Sequence, residues 1–238
     1  MEKVKKRVRR TNVAIERDIM TTISKIVKEE GFCNLNISLL SERANVRISV
    51  IERHFGSMDS LLKLYTQKYD YWLNDAVDVD NVAEKEILNS VATRFVEALW
   101  NNKELQKLMI WELIEDNSIT RRSAQRREPT IQNIIPRYEA VINNLEADPK
   151  AVLAVIIAGI YYLILRKDRS TFCGVNFKSK KGKVILTTVV ASIFSDLGEL
   201  SKNNNTEFDI ARKLKENGVS TDIIVQSTSL TKEQVEEL

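Results

Sequence analysis

The segment NVRISVIERHF, residues 45–55, brings together side chains that bind the phosphates and base edges of nucleic acids. Arg47 and Arg53 carry planar, permanently charged guanidinium groups, which donate paired hydrogen bonds to phosphate or to guanine. Ser49 adds a hydroxyl. Glu52 is the exception, because its negative charge would stand next to a polyanion, although a carboxylate can also accept a hydrogen bond from cytosine. The residue types therefore predict a nucleic-acid contact that contains one opposing charge.

This segment can present its polar groups only if a helix-turn-helix holds it. Apolar contacts on a short first helix come from Leu39, Leu40 and Ala44. Asn45 supplies the turn, and Val46 follows as a buried plug. Asparagine is the non-glycine residue that most readily adopts left-handed backbone angles. Ile51 and Phe55 then form the inner face of the second helix, so the polar residues around them are predicted to project outward.

The neighbouring helices follow from apolar spacing and capping residues. Isoleucines at helical spacing predict a first helix over about residues 11–30, and Gly31 is expected to end it with a left-handed cap. Asn36 and Ser57 are the predicted N-caps of the helices that come before and after the quoted segment.

Residues 11–65 resemble the N-terminal domain of the TetR family of bacterial transcriptional regulators. The resemblance rests on EEGF at the end of the first helix, LNISLLSERANV in the first half of the motif, HF at 54–55 and SMDSLL opening the next helix. It implies an all-α, TetR-like architecture, with an N-terminal three-helix domain and a C-terminal helical domain for ligand binding and dimerisation. It also implies a dimer whose two recognition helices lie about one DNA turn apart (roughly 34–36 Å) and read a near-palindrome.

The resemblance assigns the DNA contacts to one set of residues: Asn36, Arg47, Ile48, Ser49, Glu52, Arg53 and His54. Several positions depart from the family pattern: Asn45 replaces glycine, Arg47 serine, Ser49 glycine, Glu52 a tyrosine that usually contacts phosphate, and Met58 a lysine. Losing the tyrosine and the lysine weakens backbone positioning, which Arg47 and a basic N-terminal arm can restore. The alternative for the exposed members is a solvated helix face, and for His54 it is amphipathic packing.

Glu52 has three candidate roles. Ser49-Val50-Ile51-Glu52 matches the S-x-x-E pattern of a capping box, which would start the helix two residues later than in the family. Glu52 could instead read cytosine, or repel phosphate and mark decayed DNA binding. We favour the cap, because it needs only local residues and explains Ser49 in place of the family's glycine.

Composition also predicts an all-α protein. Of 238 residues, 43% are hydrophobic and only 7 are glycine and 3 proline, and strand-like alternation is absent. The net charge of +3 does not by itself indicate a nucleic-acid partner, but six basic residues fall within the first ten. This basic arm, residues 1–10, is predicted to contact phosphates or the minor groove, the alternative being a solvated tail.

No arrangement of residues predicts catalysis or metal binding. Cys33 and Cys173 match no metal spacing, and the single histidine has no catalytic partner at a useful spacing. We therefore expect no enzymatic activity, no metal and no cofactor. The two cysteines and an N-terminus without an apolar signal region predict a cytoplasmic protein.

The chain divides into four predicted segments: a basic arm at 1–10, a helix-turn-helix DNA-binding domain at 11–75, a helical ligand-binding and dimerisation domain at 76–202, and a C-terminal helical extension at 203–238. The acidic stretch NDAVDVDNVAEKE (74–86) marks the boundary after the DNA-binding domain. The polar stretch SKNNNTE (201–207) is predicted to be a linker.

The resemblance further implies a pocket for an unidentified small-molecule effector. The candidate lining residues are Trp72, Phe95, Trp100, Met109, Trp111, Tyr138, Tyr161 and Tyr162. The alternative for each of them is ordinary core packing. The charged stretch TRRSAQRRE (120–128) is either an anion-facing rim or a solvated loop, and the loop is preferred.

Two apolar helices, Pro149 to Arg166 and Val184 to Leu200, are expected to form the dimer interface. In the family, the last two helices of this region pair with those of a second subunit as a four-helix bundle. The alternative is an internal core, and both can hold. The longest apolar run, Ala151 to Leu165, has 15 residues, short of the ~20 that span a bilayer. We therefore expect a buried core helix and no membrane partner.

The C-terminal stretch ARKLKENGVSTDIIVQSTSLTKEQVEEL departs from the TetR pattern. It resembles the short C-terminal segment of some transposase-derived bacterial nucleases, and Thr231 with Gln234 predicts a capping box. Residues 207–238 carry seven acidic and four basic side chains, a net charge of −3, which disfavours contact with DNA. We expect this miniature helix-turn-helix to pack on the body of the protein or to contact another protein.

These features predict a ligand-responsive transcriptional repressor that binds a near-palindromic operator in double-stranded DNA as a homodimer. The alternative is a dimeric helical protein-interaction module that has lost specific DNA reading.

Overall fold

A computed structural model describes residues 11–77, 87–141 and 147–238. Helices account for the regular structure in these ranges, which contain no strand beyond an isolated bridge between Phe172 and Val175. The predicted all-α class is confirmed. The predicted basic arm and most of the acidic boundary stretch lie outside the described residues.

The helices follow one another in this order: α1 Asn12–Glu30, α2 Ile37–Ala44, α3 Ile48–Phe55, α4 Met58–Thr66, α5 Trp72–Val77, α6 Ile87–Asn101, α7 Lys103–Ile114, α8 Ser118–Val141, α9 Pro149–Arg166, α10 Lys180–Glu216, α11 Thr221–Ser227 and α12 Lys232–Glu236. Short 3₁₀ turns lie at Phe32–Asn34 and Gln67–Tyr69.

Capping side chains set the starts of α2 and α4, as predicted. Asn36 Oδ1 accepts from the Leu39 N–H at 3.0 Å, and Ser57 Oγ accepts from the Ser60 N–H at 3.1 Å. Each satisfies an N–H that the helix leaves open at its first turn. α1 ends at Gly31, as expected, but with φ 89° and ψ 174°. This is an extended conformation at positive φ rather than the left-handed cap that the sequence predicted.

The chain forms two compact units that interleave along the sequence. The first comprises Met1–Ala76 with Glu97–Thr130, and the second comprises Val77–Val96 with Ile131–Leu238. The sequence predicted consecutive domains instead. In the structure, α7 and the first half of α8 belong to the same unit as the helix-turn-helix.

A buried carboxylate joins α7 to the helix-turn-helix elements of the first unit. Glu104, in the first turn of α7, is 6% exposed. It accepts a hydrogen bond from Ser24 Oγ of α1 at 2.5 Å, and further hydrogen bonds from the hydroxyls of Tyr65 and Tyr69. Burying an anion is costly unless donors replace its water shell, and these three hydroxyls do so.

Two lysines complete this arrangement, which we call the Glu104 cluster (Ser24, Lys28, Tyr65, Lys68, Tyr69 and Glu104). Lys28 Nζ lies 2.9 Å from Oε1 of Glu104, and Lys68 Nζ lies 2.7 Å from Oε2. Lys68 Nζ is also 3.9 Å from the centroid of the Tyr65 ring, a cation–π contact. The cluster therefore ties α1, α4 and the following 3₁₀ turn to α7 through one charge.

The ionisation of this cluster follows from its hydrogen bonds. Burial raises the pKa of Glu104, but hydrogen bonds from Lys68, Ser24, Tyr65 and Tyr69 outweigh burial and hold that pKa well below its ordinary value of 4.5. The N-terminal end of α7 also favours a negative charge. Burial, and then the hydrogen bond to Glu104, raise the pKa of both tyrosines. The carboxylate stays ionised and the phenols stay protonated.

Residues 120–128, predicted to be a solvated charged loop, lie instead within α8. Arg122 pairs with Asp70, and Arg127 Nη1 donates to Glu112 Oε1 at 3.0 Å. The arginine side chains are only 18% and 12% exposed. The loop prediction is wrong because partners distant in sequence neutralise these arginines and allow their burial, which also argues against an anion-facing rim here.

α9 and α10 also differ from expectation. Only 17% of Pro149–Arg166 is buried, and Val155 is 73% exposed, so the apolar run is not a buried core helix within one protomer. α10 continues for 37 residues, straight through the stretch 201–207 that was predicted to be a linker. Length and composition alone would let both helices cross a membrane.

The C-terminal extension forms a small helical cluster with the end of α10. Its shared buried side chains are Ala211, Ile224, Leu230 and Val235. The predicted capping box of Thr231 and Gln234 is present. Lys215 Nζ donates at 2.9 Å to the carbonyls of both Val235 and Glu236, where the end of α12 favours a positive charge. The extension therefore folds largely on itself.

Replacing Glu104 with alanine is expected to lower the free energy of unfolding by roughly 3 kcal/mol at pH 7, because two buried phenols lose their acceptor and two ammonium groups lose their counter-ion. The pKa of Glu104 is depressed in the fold. Its stabilising contribution is therefore present above the unfolded value of 4.5 and declines as the pH falls below it. Urea unfolding of wild type and variant at pH 7 and at acid pH measures both effects. Glu16→Ala, a change at an exposed acid, is the control, and a Glu104→Ala variant as stable as wild type at pH 7 would contradict the expectation.

Candidate nucleic-acid interface

The turn between α2 and α3 has the geometry that the helix-turn-helix requires. Asn45 takes left-handed angles, φ 49° and ψ 47°, and Val46, 8% exposed, follows as the predicted plug. The backbone N–H of Val46 donates to the Ser41 carbonyl at 3.1 Å, and Ser41 Oγ donates to the Val46 carbonyl at 2.7 Å. This pair of hydrogen bonds holds the two helices at a defined angle, and the predicted motif is confirmed.

α3 begins at Ile48, so the favoured role for Glu52 is wrong. Arg47 is the N-cap residue, with extended angles of φ −64° and ψ 143°, and no side chain caps the helix. The N–H groups of Val50 and Ile51 donate to the Arg47 carbonyl at 2.9 and 3.2 Å. Ser49 is therefore already inside the helix, since the chain leaves the turn ready to become helical at once. A capping box formed by Ser49 and Glu52 is excluded.

One face of α3 is open to solvent. Ile51, 1% exposed, anchors the opposite face in the core of the first unit. The exposed residues, which we call the α3 face, are Arg47, Ile48, Ser49, Glu52 and Arg53. The guanidinium and hydroxyl groups can donate hydrogen bonds to phosphate or guanine, and the carboxylate can accept one from cytosine. The methyl groups can contact the methyl group of thymine.

The charges on this face are available for a ligand. Within the described part of the chain, no ion pair engages Arg47, Glu52 or Arg53. Arg43 of α2, in contrast, pairs with Glu29 at 2.7 Å and also with Glu30. That arginine fastens α2 to the end of α1, while the arginines of the α3 face remain free to bind an anion.

Asn36 and His54 are less available than the rest of the predicted set. Asn36 Oδ1 is the cap acceptor of α2, and its Nδ2 donates to the Asn34 carbonyl at 3.3 Å. His54 Nε2 is buried and has no hydrogen-bond partner among the described residues, and the His54 ring lies 6.1 Å from that of Phe55. This placement favours the packing alternative for His54.

Half of the predicted pocket residues lie in the first unit: Trp72, Trp100, Met109 and Trp111. Met109 and Trp111 are 4% and 5% exposed. The Trp111 ring stacks on Phe32 at a centroid distance of 5.0 Å and an angle of 8°. The structure thus gives Trp111 a packing role beside the helix-turn-helix.

The other half lie in the second unit: Phe95, Tyr138, Tyr161 and Tyr162. The rings of Phe95 and Tyr161 pack 5.3 Å apart. Tyr162 is 48% exposed, and it contacts Phe172 and Arg166 on the outside. The eight candidates therefore do not gather within one compact unit, and their role in ligand binding remains a prediction.

Two features of the first unit were not visible in the sequence. One is the Glu104 cluster, since a single glutamate in an amphipathic helix carries no distinguishing signal. The other is a shallow, open depression of about 370 Å³ between α1 and α4, lined by Met20, Thr21, Ser24, Leu64, Tyr65 and Lys68. Both depend on residues that are distant in sequence.

Solved structures of TetR-type regulators share this fold. A protein from Rhodococcus sp. assigned to the TetR family of transcriptional regulators matches with a TM-score of 0.54 at 13% identity, over 74% of this chain and 98% of its own. A TetR-like transcriptional regulator from Rhodococcus sp. RHA1 matches with a TM-score of 0.53 at 11% identity, over 80% of this chain and 96% of its own. No protein-family model and no curated protein matches the sequence. The fold is therefore TetR-like, whereas the nuclease-like character of the extension has no support in these comparisons.

Asn45→Ala is expected to lower the free energy of unfolding by about 1 kcal/mol, because alanine resists the left-handed angles that asparagine tolerates. Asn45→Gly is the matched control, since glycine adopts these angles without strain and Asn45 is exposed. Thermal unfolding of the three proteins gives the comparison. Equal stability of the alanine and glycine variants would show that the turn does not require a positive φ.

Proposed function

We propose that this chain is a DNA-binding transcriptional regulator whose α3 face enters the major groove. The observation that carries the proposal is the free polar face of α3, held outward by the Asn45 turn and anchored by Ile51. Arg47 and Arg53 supply phosphate or guanine contacts, and Ile48 suits a thymine methyl group. Glu52 accepts from the amino group of a cytosine, which would make the opposing charge a source of selectivity.

The regulator works as a homodimer. α9 exposes small and apolar residues along one side: Ala151, Ala154, Val155, Ala158, Gly159 and Tyr162. α10 exposes Val189, Ile193 and Leu200 at 49%, 38% and 53%. An apolar surface of this kind is unfavourable in water unless a partner covers it. A second copy of the same helices would bury it, and small residues would let the backbones approach closely. Two recognition helices then read the two halves of a near-palindromic operator.

The remaining parts of the proposal concern regulation and location. A repressor that releases its operator when an effector binds requires that the effector prefer one of two arrangements of the dimer. Such a protein acts in the cytoplasm. The extension is not part of the DNA contact, because its net charge of −3 opposes approach to phosphate.

DNA binding is tested with double-stranded fragments from the region upstream of the protein's own reading frame, titrated by fluorescence anisotropy at two salt concentrations. We expect one fragment to bind with a Kd on the order of 10⁻⁸ M and a steep salt dependence. Arg47→Ala and Arg53→Ala should each weaken that binding roughly tenfold or more. Arg212→Ala in the extension is the matched control and should leave it unchanged. Weak, equal binding to every fragment would favour the alternative, a dimeric protein-interaction module.

Val155→Asp is expected to abolish the dimer, since an unpaired charge would be buried at the centre of the α9 contact, at a cost of several kcal/mol. Val155 is chosen because it is exposed in the protomer, whereas its neighbour Ile156 is half-buried there. Sedimentation equilibrium of the variant should give a monomer with an unchanged helical circular dichroism spectrum. Val13→Asp, at an equally exposed valine of α1, should remain a dimer. A dimeric Val155→Asp variant would place the interface elsewhere, and recovery of wild type in the membrane fraction would assign the apolar face to lipid instead.

A further inference from the structure

The interior of the second unit contains almost no polar side-chain atoms. Among the described residues of Val77–Val96 and Ile131–Leu238, the buried side chains are apolar except for Ser201 and the hydroxyl of Tyr138. Among the ion-paired side chains of these ranges, that of Lys167 is the most buried at 9% exposed, and its Nζ lies 3.9 Å from Oδ2 of Asp168. The described part of this interior therefore offers no unpaired counter-ion for a charged guest.

The Tyr138 hydroxyl is a buried polar group of the second unit that needs a hydrogen-bond acceptor. Tyr138 is 2% exposed, and its Oη has no hydrogen-bond partner in the part of the chain that the structure describes. The Tyr138 ring packs edge-on against Phe194, with centroids 6.0 Å apart and an angle of 83°. Burial raises the pKa of Tyr138 to about 12, so the group is a neutral donor across the physiological range. A phenylalanine would fill the same space without leaving a buried donor unsatisfied.

We propose that the Tyr138 hydroxyl is the hydrogen-bond donor of an effector site within the second unit, and that the effector is an uncharged, largely apolar molecule with a carbonyl or ether oxygen. This inference rests on the proposed ligand-responsive function and names the chemical class of its ligand. The oxygen accepts the unused proton of Tyr138, and the apolar body packs on Phe194 and the surrounding aliphatic side chains. A carboxylate or ammonium group is rejected, because it would be buried without a partner.

Occupation of this site moves α8. The rings of Tyr138 and Phe194 are in contact, so a molecule that reaches the hydroxyl must separate α8 from α10 at this point. α8 is one continuous helix from Ser118 to Val141. An effector of this class consequently has the differential affinity that a ligand needs in order to shift a conformational equilibrium.

The first test measures whether the hydroxyl is an unsatisfied donor in the effector-free protein. Tyr138→Phe in the full chain should raise the thermal midpoint by about 2–4 °C, since the variant removes an unpaired buried hydroxyl and keeps the ring. Tyr162→Phe is the matched control. Tyr162 is 48% exposed and its hydroxyl accepts a hydrogen bond from Arg166, so the midpoint of this variant should not rise. An unchanged or lower midpoint for Tyr138→Phe would mean that the hydroxyl already has a partner, which overturns the proposal.

The second test uses three probes of one size: methyl naphthyl ketone, isopropenylnaphthalene, which lacks the oxygen, and naphthoate, which carries a charge. In isothermal titration calorimetry, wild type should bind the ketone most tightly and naphthoate most weakly. Tyr138→Phe should weaken binding of the ketone roughly fivefold to tenfold and leave binding of the hydrocarbon unchanged. Tyr162→Phe should alter neither affinity. The proposal is overturned if the ketone does not bind saturably, if naphthoate binds best, or if Tyr138→Phe binds the ketone as wild type does. No DNA is present, so failure here leaves the DNA-binding proposal standing, and absence of operator binding leaves this result intact.

Discussion

The charge on Glu104 is the constraint on which the first unit depends. Moving a carboxylate out of water costs several kcal/mol unless hydrogen-bond donors and counter-ions replace the solvent. Here the donors come from α1, α4 and the 3₁₀ turn that follows α4, while the acid comes from α7. Moving any one of these elements away would leave a buried charge or a buried phenol without its partner. This explains why the compact unit containing the helix-turn-helix is discontinuous in sequence and includes Glu104.

The α3 face is positioned by local geometry of a different kind. The left-handed Asn45 and the reciprocal hydrogen bonds between Ser41 and Val46 set the angle between α2 and α3. Ile51 then fixes the rotation of α3 about its own axis. Rigid presentation lowers the entropy lost when side chains bind DNA. Within the described part of the chain, no ion pair engages the two arginines and the glutamate of this face, which suits the selective DNA contact that we propose.

The second unit retains two features that are unfavourable for an isolated protomer. Its α9 and α10 helices expose apolar side chains such as Val155, and in its interior the hydroxyl of Tyr138 has no hydrogen-bond partner among the described residues. Sequences generally avoid both, because each costs stability without local compensation. Departures of this kind concentrate where a protein binds something. A second copy of the chain would remove the first cost, and a neutral ligand with an acceptor oxygen would remove the second.

Local features of the fold could be predicted from the sequence. The caps at Asn36 and Ser57, the turn at Asn45 and the capping box at Thr231 depend on hydrogen bonds between residues a few positions apart, so their patterns are visible in one dimension. The outward residues of α3 followed from the same reasoning, although the start of that helix was misplaced because two local patterns competed there. Tertiary structure alone decided the features that join distant segments: the burial of Glu104, the pairing of Arg122 within a stretch predicted to be a loop, and the isolation of Tyr138. The free energy of a buried charge or hydroxyl depends on which distant atoms surround it, and no spacing along the chain records those neighbours.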